Sequence, residues 1–286
     1  MRLSFLLSSV LLSLGVSGAP ARSASPAPPP AFFKRHAHHS TSDKHSSQNT
    51  STSTSFTTEV TILESCSVAQ THHLRQGLEE MLELANHAKE RLLERGETDE
   101  LYVTYFGNAP ASSVIGYYSQ IALGNKAGVI LRCDDPDKNC ATQSTAEGPW
   151  AGHYRGKNAS HETVICPPSF NVSNRVSLSE LCWDGRLIGS GNPSHYLGAD
   201  LMHRLTHVPS VTFGHVDHTA EGYAESLRLA STNNSLAAFN SDTLQFFALD
   251  AYARDVAFAP NGCTVSMKQA KAEEAAAGGH SHQKSW

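Results

Sequence analysis

Beyond residue 19, the 286-residue sequence contains no apolar run approaching twenty residues, so nothing in it reads as a helix that spans a bilayer. No cluster of basic residues forms a stripe, and 22 Lys and Arg stand against 27 Asp and Glu, which argues against a nucleic-acid partner. There is no Cys-x-x-Cys pair, the spacing expected of a thiolate metal site or a redox motif. There is also no His-Glu-x-x-His, although one near miss occurs. What is present is an ordinary hydrophobic content of 40% and an excess of histidine. Protonating all 16 histidines would swing the formal charge from −5 to +11, so the surface charge responds strongly to mild acid.

Residues 1–19 read as a secretory signal peptide. Arg2 supplies the charged start, Leu3 to Val16 an apolar core, and Ser17-Gly18-Ala19 the small residues of a cleavage site. All six cysteines (Cys66, Cys133, Cys140, Cys166, Cys182 and Cys263) lie beyond it, an even number that in an oxidising compartment implies three disulfides. Spacing leaves their pairing open. Sequons at Asn49, Asn158, Asn171 and Asn233 fit the same exported setting.

Residues 20–57 are rich in Pro, Ser, Thr and His and are expected to be disordered, because such a composition buries too little apolar surface to offset chain entropy. Lys34-Arg35 offers a dibasic processing site that would make 20–35 a pro-segment. A folded domain is expected over 58–263, followed by a flexible tail, 264–286, in which His280 and His282 offer an exposed metal hook. Apolar residues recur at three and four from Val68 to Arg95, which predicts a long helix stopped by Gly96. Strands are predicted at about 59–62, 101–106, 127–132, 152–156 and 162–166, helices at about 220–231 and 241–257, and a helical or irregular stretch at 111–122. Strands and helices without strict alternation define an α+β domain. The acidic loop between Cys133 and Cys140 lacks the ligand spacing of an EF-hand and reads as a solvated turn.

The chemistry concentrates in Asp200-Leu-Met-His203-Arg204-Leu-Thr-His207. Two histidines one helical turn apart can grip a single zinc ion. Leu197, Leu201, Leu205 and Val208 form a core-facing stripe, and His203 and His207 share another face. The loop that follows offers a further ligand of either chemistry, Asp217 or His218. Arg204 stands where the zinc peptidases carry a glutamate. A guanidinium cannot take a proton from water, and Asp200, four residues earlier, is placed to neutralise it. Glu221 and Glu225 could stand in as a base, but their spacing does not single them out.

These residues resemble a fungal H-R-x-x-H family of secreted pH-regulated antigens and major allergens, described as zincophores and grouped among the peptidases. The resemblance extends over Cys133–Cys140, Gly152–Gly156, Glu162–Pro167, Asp200–Pro209, Val216–His218 and Leu244–Ala253. More distantly, the domain resembles the deuterolysin metallopeptidases, zincins whose third ligand is an aspartate in a glycine-containing loop. The resemblance implies a zincin-like fold, Asp217 as third ligand with His218 as competitor, and disulfides 66–133, 140–166 and 182–263. It further implies extracellular or cell-wall zinc capture, delivery to a cell-surface zinc transporter and binding of host extracellular proteins. Two other functions stay open: a zinc metalloendopeptidase with a non-standard base, and a surface adhesin or immune-modulating antigen whose zinc is structural.

Overall fold

The computed structural model describes residues 60–145, 148–171 and 175–265. The signal segment, the Pro/Ser/Thr/His-rich stretch with Lys34-Arg35 and Asn49, and the tail with His280 and His282 lie outside the described residues.

The described chain is an α+β domain. Strand β1 (Thr61–Ile62) leads into helix α1 (Val68–Arg95). Ser67 opens α1 with a reciprocal capping box. Its hydroxyl accepts from Gln70 N at 3.3 Å, and its own N–H donates to Gln70 Oε1 at 2.8 Å. Gly96, at φ +69°, closes the helix in a conformation that β-carbon-bearing residues rarely adopt. Helices α2 (Glu100–Phe106) and α3 (Ala111–Leu123) follow, then β2 (Ile130–Arg132) and the short α4 (Asn139–Thr142). A small hairpin, β3 (Ser144–Thr145) with β4 (Gly148–Pro149), precedes β5 (Gly152–Tyr154) and β6 (Glu162–Ile165).

The segment 101–106, expected to be a strand, is helical. Its aromatic and β-branched composition suggests a strand, but its burial has the helical period: Leu101, Tyr102, Tyr105 and Phe106 point inward while Val103 is 49% exposed. Tertiary packing decides here, because Tyr102, Tyr105 and Phe106 all pack their rings on Phe247.

The main sheet runs in the order β1-β2-β6-β5. The first three strands are parallel and β5 is an antiparallel edge, with His153 opposite Val164. Next in the chain come α5 (Leu197–Thr206), α6 (Pro209–Thr212), α7 (Tyr223–Thr232), α8 (Asn234–Ala237) and α9 (Ser241–Tyr252). Every residue of α9 is buried, and every residue of α5 but His203. Helix α5 reaches this depth by close approach to α1. A β-carbon on Gly198 would stand 2.7 Å from Glu80 Cβ, and one on Gly77 would stand 2.5 Å from Leu197 Cγ. Gln245 Nε2 donates to Ala199 O at 3.0 Å and ties α9 to α5. The disulfides are Cys66–Cys133, Cys140–Cys166 and Cys182–Cys263, the pairing the resemblance implies, and they use all six cysteines. Among the described residues, no helix is long and apolar enough to cross a membrane.

Candidate metal centre

Helix α5 ends at Thr206. His207 is its C-cap, and Pro209 opens α6. Thr206 Oγ1 donates to His203 O at 2.5 Å, and Thr212 Oγ1 donates to Thr206 O at 2.6 Å, so the carbonyls at the helix end are satisfied without water. The two histidines therefore project from a well-fixed terminus.

Their Nε2 atoms lie 3.4 Å apart. Two imidazole nitrogens on one tetrahedral zinc, each about 2.0–2.1 Å from the ion, would stand about 3.3 Å apart. The third ring in the group is His218. One ligand nitrogen from each of His203, His207 and His218 lies within 4.8 Å of the others. The ring centroids form a triangle of 5.1, 4.9 and 4.5 Å. Tyr154, on the edge strand, stacks beside His207 at 6.4 Å.

Asp217 is not brought into the group. It is exposed, and its Oδ1 accepts from the backbone N–H of His218 at 2.7 Å. Its own backbone bridges in parallel to Asn240, accepting from Ser241 N and donating to Phe239 O. Successive side chains of an extended segment point to opposite sides, so a backbone held this way sends Asp217 out and His218 in. The distant resemblance favours the aspartate; the local backbone favours its neighbour. His215 is exposed, beside Phe213, and outside the group.

The loop bearing His218 is held from the start of α9. Asn240 Oδ1 accepts from the N–H groups of Thr219 and Ala220, both at 2.9 Å, and Asp242 Oδ2 accepts from Gly222 N at 2.8 Å. Asp242 Oδ1 lies 3.6 Å from Nδ1 of both His203 and His218. Sequence reasoning misses Asn240 and Asp242. Their only local signal is a polar Asn-Ser-Asp run at a helix start, which reads equally well as an N-cap.

Arg204 donates from Nε to Asp200 Oδ2 at 2.9 Å and from Nη2 to Asp200 Oδ1 at 3.0 Å, the pairing its spacing predicts. Arg175 adds a second cation, 3.5 Å from Asp200 Oδ2. The Arg204 guanidinium lies against Gly152 of the edge strand, where a β-carbon would stand 2.8 Å from Nη1. Burial alone would raise the Asp200 carboxyl, but Arg175 and Arg204 outweigh it and hold that carboxyl below the usual range. Glu225 is engaged by Arg228.

Burial is also the main influence on the histidine pair. Together with His218, His207 and Arg204 it holds His203 well below the ordinary imidazole value, against a smaller opposing effect of Gln245. Burial, His218 and Arg204 push His207 down to about 3. Both rings are thus neutral at physiological pH, the form that ligates a metal. His203 Nδ1 is buried without a hydrogen bond. A divalent ion fits this donor set: Nε2 atoms at chelating separation, neutral rings and a carboxylate behind two of them. A second grouping, Asp135, Cys140 and His153, does not fit, because Cys140 is in a disulfide and Asp135 accepts from the N–H groups of Asn139 and Cys140. Elsewhere in that acidic loop Asp134 pairs with Arg132 and Asp137 with Arg155, so these carboxylates serve structural ion pairs. Among the sequons, Asn158, Asn171 and Asn233 are exposed.

The chain is 43% identical over 206 residues to Major allergen Asp f 2 of Aspergillus fumigatus, covering 72% of this chain and 64% of that protein's length. It is 42% identical over 202 residues to Antigen 1 of Emericella nidulans, with 71% and 70% covered. To the pH-regulated antigen PRA1 of Candida albicans it is 36% identical over 200 residues, with 70% and 64% covered. A solved zinc peptidase from Grifola frondosa superposes with a TM-score of 0.46 at 16% identity, over 66% of this chain and 99% of the peptidase. A model of the HRXXH family, described as a "Putative peptidase family", matches residues 14–266 and so spans the candidate centre and all three disulfides. The chain belongs to the HRXXH family.

Proposed function

We propose that this protein is a secreted or cell-surface zinc-binding protein that captures extracellular zinc at His203, His207 and His218. The observation that carries the reading is the convergence of three imidazoles, with the His203 and His207 Nε2 atoms 3.4 Å apart. Imidazole nitrogen is a ligand that suits zinc. Three protein ligands would leave a fourth position for water or for a group from a partner that accepts the ion. The helix position that carries a general base in H-E-x-x-H enzymes is here an arginine engaged with Asp200. That engagement supports holding the ion over turnover of a peptide. Full disulfide pairing supports an extracellular setting, where thiols are oxidised.

Equilibrium dialysis against zinc tests the proposal, using the full chain in a His280→Ala/His282→Ala background so that the tail cannot contribute. The tight site is expected to vanish in His203→Ala/His207→Ala and in His218→Ala, and to survive Asp217→Asn. Unchanged affinity and stoichiometry in the His203/His207 double variant would overturn it.

A further inference from the structure

We infer that Asp242 is the positioning residue of this centre: one carboxylate orients two of the three imidazoles and fixes which of their nitrogens is free to bind. The inference rests on reading His203, His207 and His218 as ligands and adds a residue to that reading. Asp242 sits in the first turn of α9 and is 9% exposed. Its Oδ1 lies 3.6 Å from His203 Nδ1 and 3.6 Å from His218 Nδ1, so it faces both rings on the side away from the converging Nε2 atom of His203. Ser241 Oγ is 3.2 Å from His218 Nδ1 and flanks the same nitrogen. His203 Nδ1 is buried and lacks a hydrogen bond, and the Asp242 carboxylate 3.6 Å away is the charged acceptor that faces it.

A neutral imidazole carries one proton. If an acceptor holds that proton at Nδ1, Nε2 presents its lone pair to the metal; if the proton sits at Nε2, the ring cannot ligate there. A carboxylate opposite both Nδ1 atoms selects the first arrangement for both rings. It also sets one negative charge near a dication whose three proposed ligands are neutral. The other oxygen is committed: Asp242 Oδ2 accepts from Gly222 N at 2.8 Å, at the end of the loop that carries His218. Asp242 therefore couples the helix ligand and the loop ligand through a single side chain.

This second contact makes Asp242→Asn an informative variant. The Gly222 N–H still requires an acceptor, so the amide oxygen is expected to stay there and the NH₂ group to turn toward the imidazoles. A donor opposite Nδ1 favours the tautomer protonated at Nε2, the wrong one for binding. Zinc affinity, measured by chelator competition on the full chain, is expected to fall 10- to 100-fold, and the visible spectrum of the cobalt-substituted protein to change shape. Nitrogen NMR of the metal-free wild type should show His203 and His218 protonated at Nδ1, and both should shift toward Nε2 in Asp242→Asn. Wild-type affinity in Asp242→Asn, alongside loss of binding in His203→Ala, would overturn the role of Asp242 and leave the centre standing. Absence of tight zinc in the wild type would instead overturn the centre. Should Asp242→Asn not fold, Nε2 protonation of both rings in the metal-free wild type would overturn the positioning role by itself.

Discussion

Replacing Arg204 with methionine separates a structural arginine from a functional one. The methionine keeps most of the apolar stem and removes the guanidinium that makes two hydrogen bonds, of 2.9 and 3.0 Å, to Asp200. The side chains of Arg204 and Asp200 are 11% and 3% exposed, so the pair is largely shielded from solvent and its loss is not cushioned by water. Removing one partner of a buried pair costs about 3–5 kcal/mol. Arg175, 3.5 Å from the same carboxylate, retains part of the compensation and places the expected loss near the lower end, about 3 kcal/mol. With an m-value of about 2 kcal/mol/M, the urea midpoint of the metal-free protein should fall by about 1.5 M. In a double-mutant cycle with Asp200→Asn, the coupling energy should reach about 2 kcal/mol. Zinc affinity should hold or rise, because the substitution takes a positive charge away from the site of a dication. A loss of stability below about 0.5 kcal/mol would refute the structural role. A clear fall in zinc affinity with stability intact would show instead that Arg204 serves the ion.

Acidification should weaken the metal-free fold through the same helix. His203 and His207 are held low in the folded state, His207 at about 3, whereas an unfolded histidine titrates near 6.5. Below pH 6.5 the unfolded chain therefore binds more protons. The contribution of these rings is complete above that pH and is lost as pH falls below it; for His207 the loss runs at about 1.4 kcal/mol per pH unit down toward 3. Melting curves from pH 7 to 4 should show a slope that flattens in His207→Gln, and an unchanged slope would contradict the burial argument. Gly198→Ala should cost about 1–3 kcal/mol in urea, since its β-carbon meets Glu80 at 2.7 Å where α5 crosses α1; a neutral result would mean the helices can separate freely. Cys182→Ala/Cys263→Ala opens a link across 81 residues and should cost about 4.5 kcal/mol on chain entropy, read from denaturation midpoints. Little change would show that the unfolded chain is already restricted there.

The readable parts of the fold are those in which one local rule dominates. The apolar period of 68–95, stopped by Gly96, defines α1 to the residue. The Asp200–Arg204 pair follows from helical spacing alone. Residues 101–106 mislead because aromatic and β-branched side chains serve a helix equally well when Phe247 supplies the surface they pack on. The centre divides along the same line. His203 and His207 stand out because one helix turn brings them together, whereas the choice between Asp217 and His218 depends on a backbone bridge to Asn240, 23 residues downstream of Asp217. Asp242 is illegible for that reason: its relation to the histidines exists only once α9 has docked beside α5.

Zinc-edge X-ray absorption on the full chain loaded with one equivalent of zinc, in the His280→Ala/His282→Ala background, tests the centre most directly. The expected spectrum has three imidazole nitrogens at about 2.0–2.1 Å and one further light neighbour. Two imidazoles with a carboxylate that disappears in Asp217→Asn, or a spectrum unaltered by His218→Ala, would contradict a centre built from His203, His207 and His218.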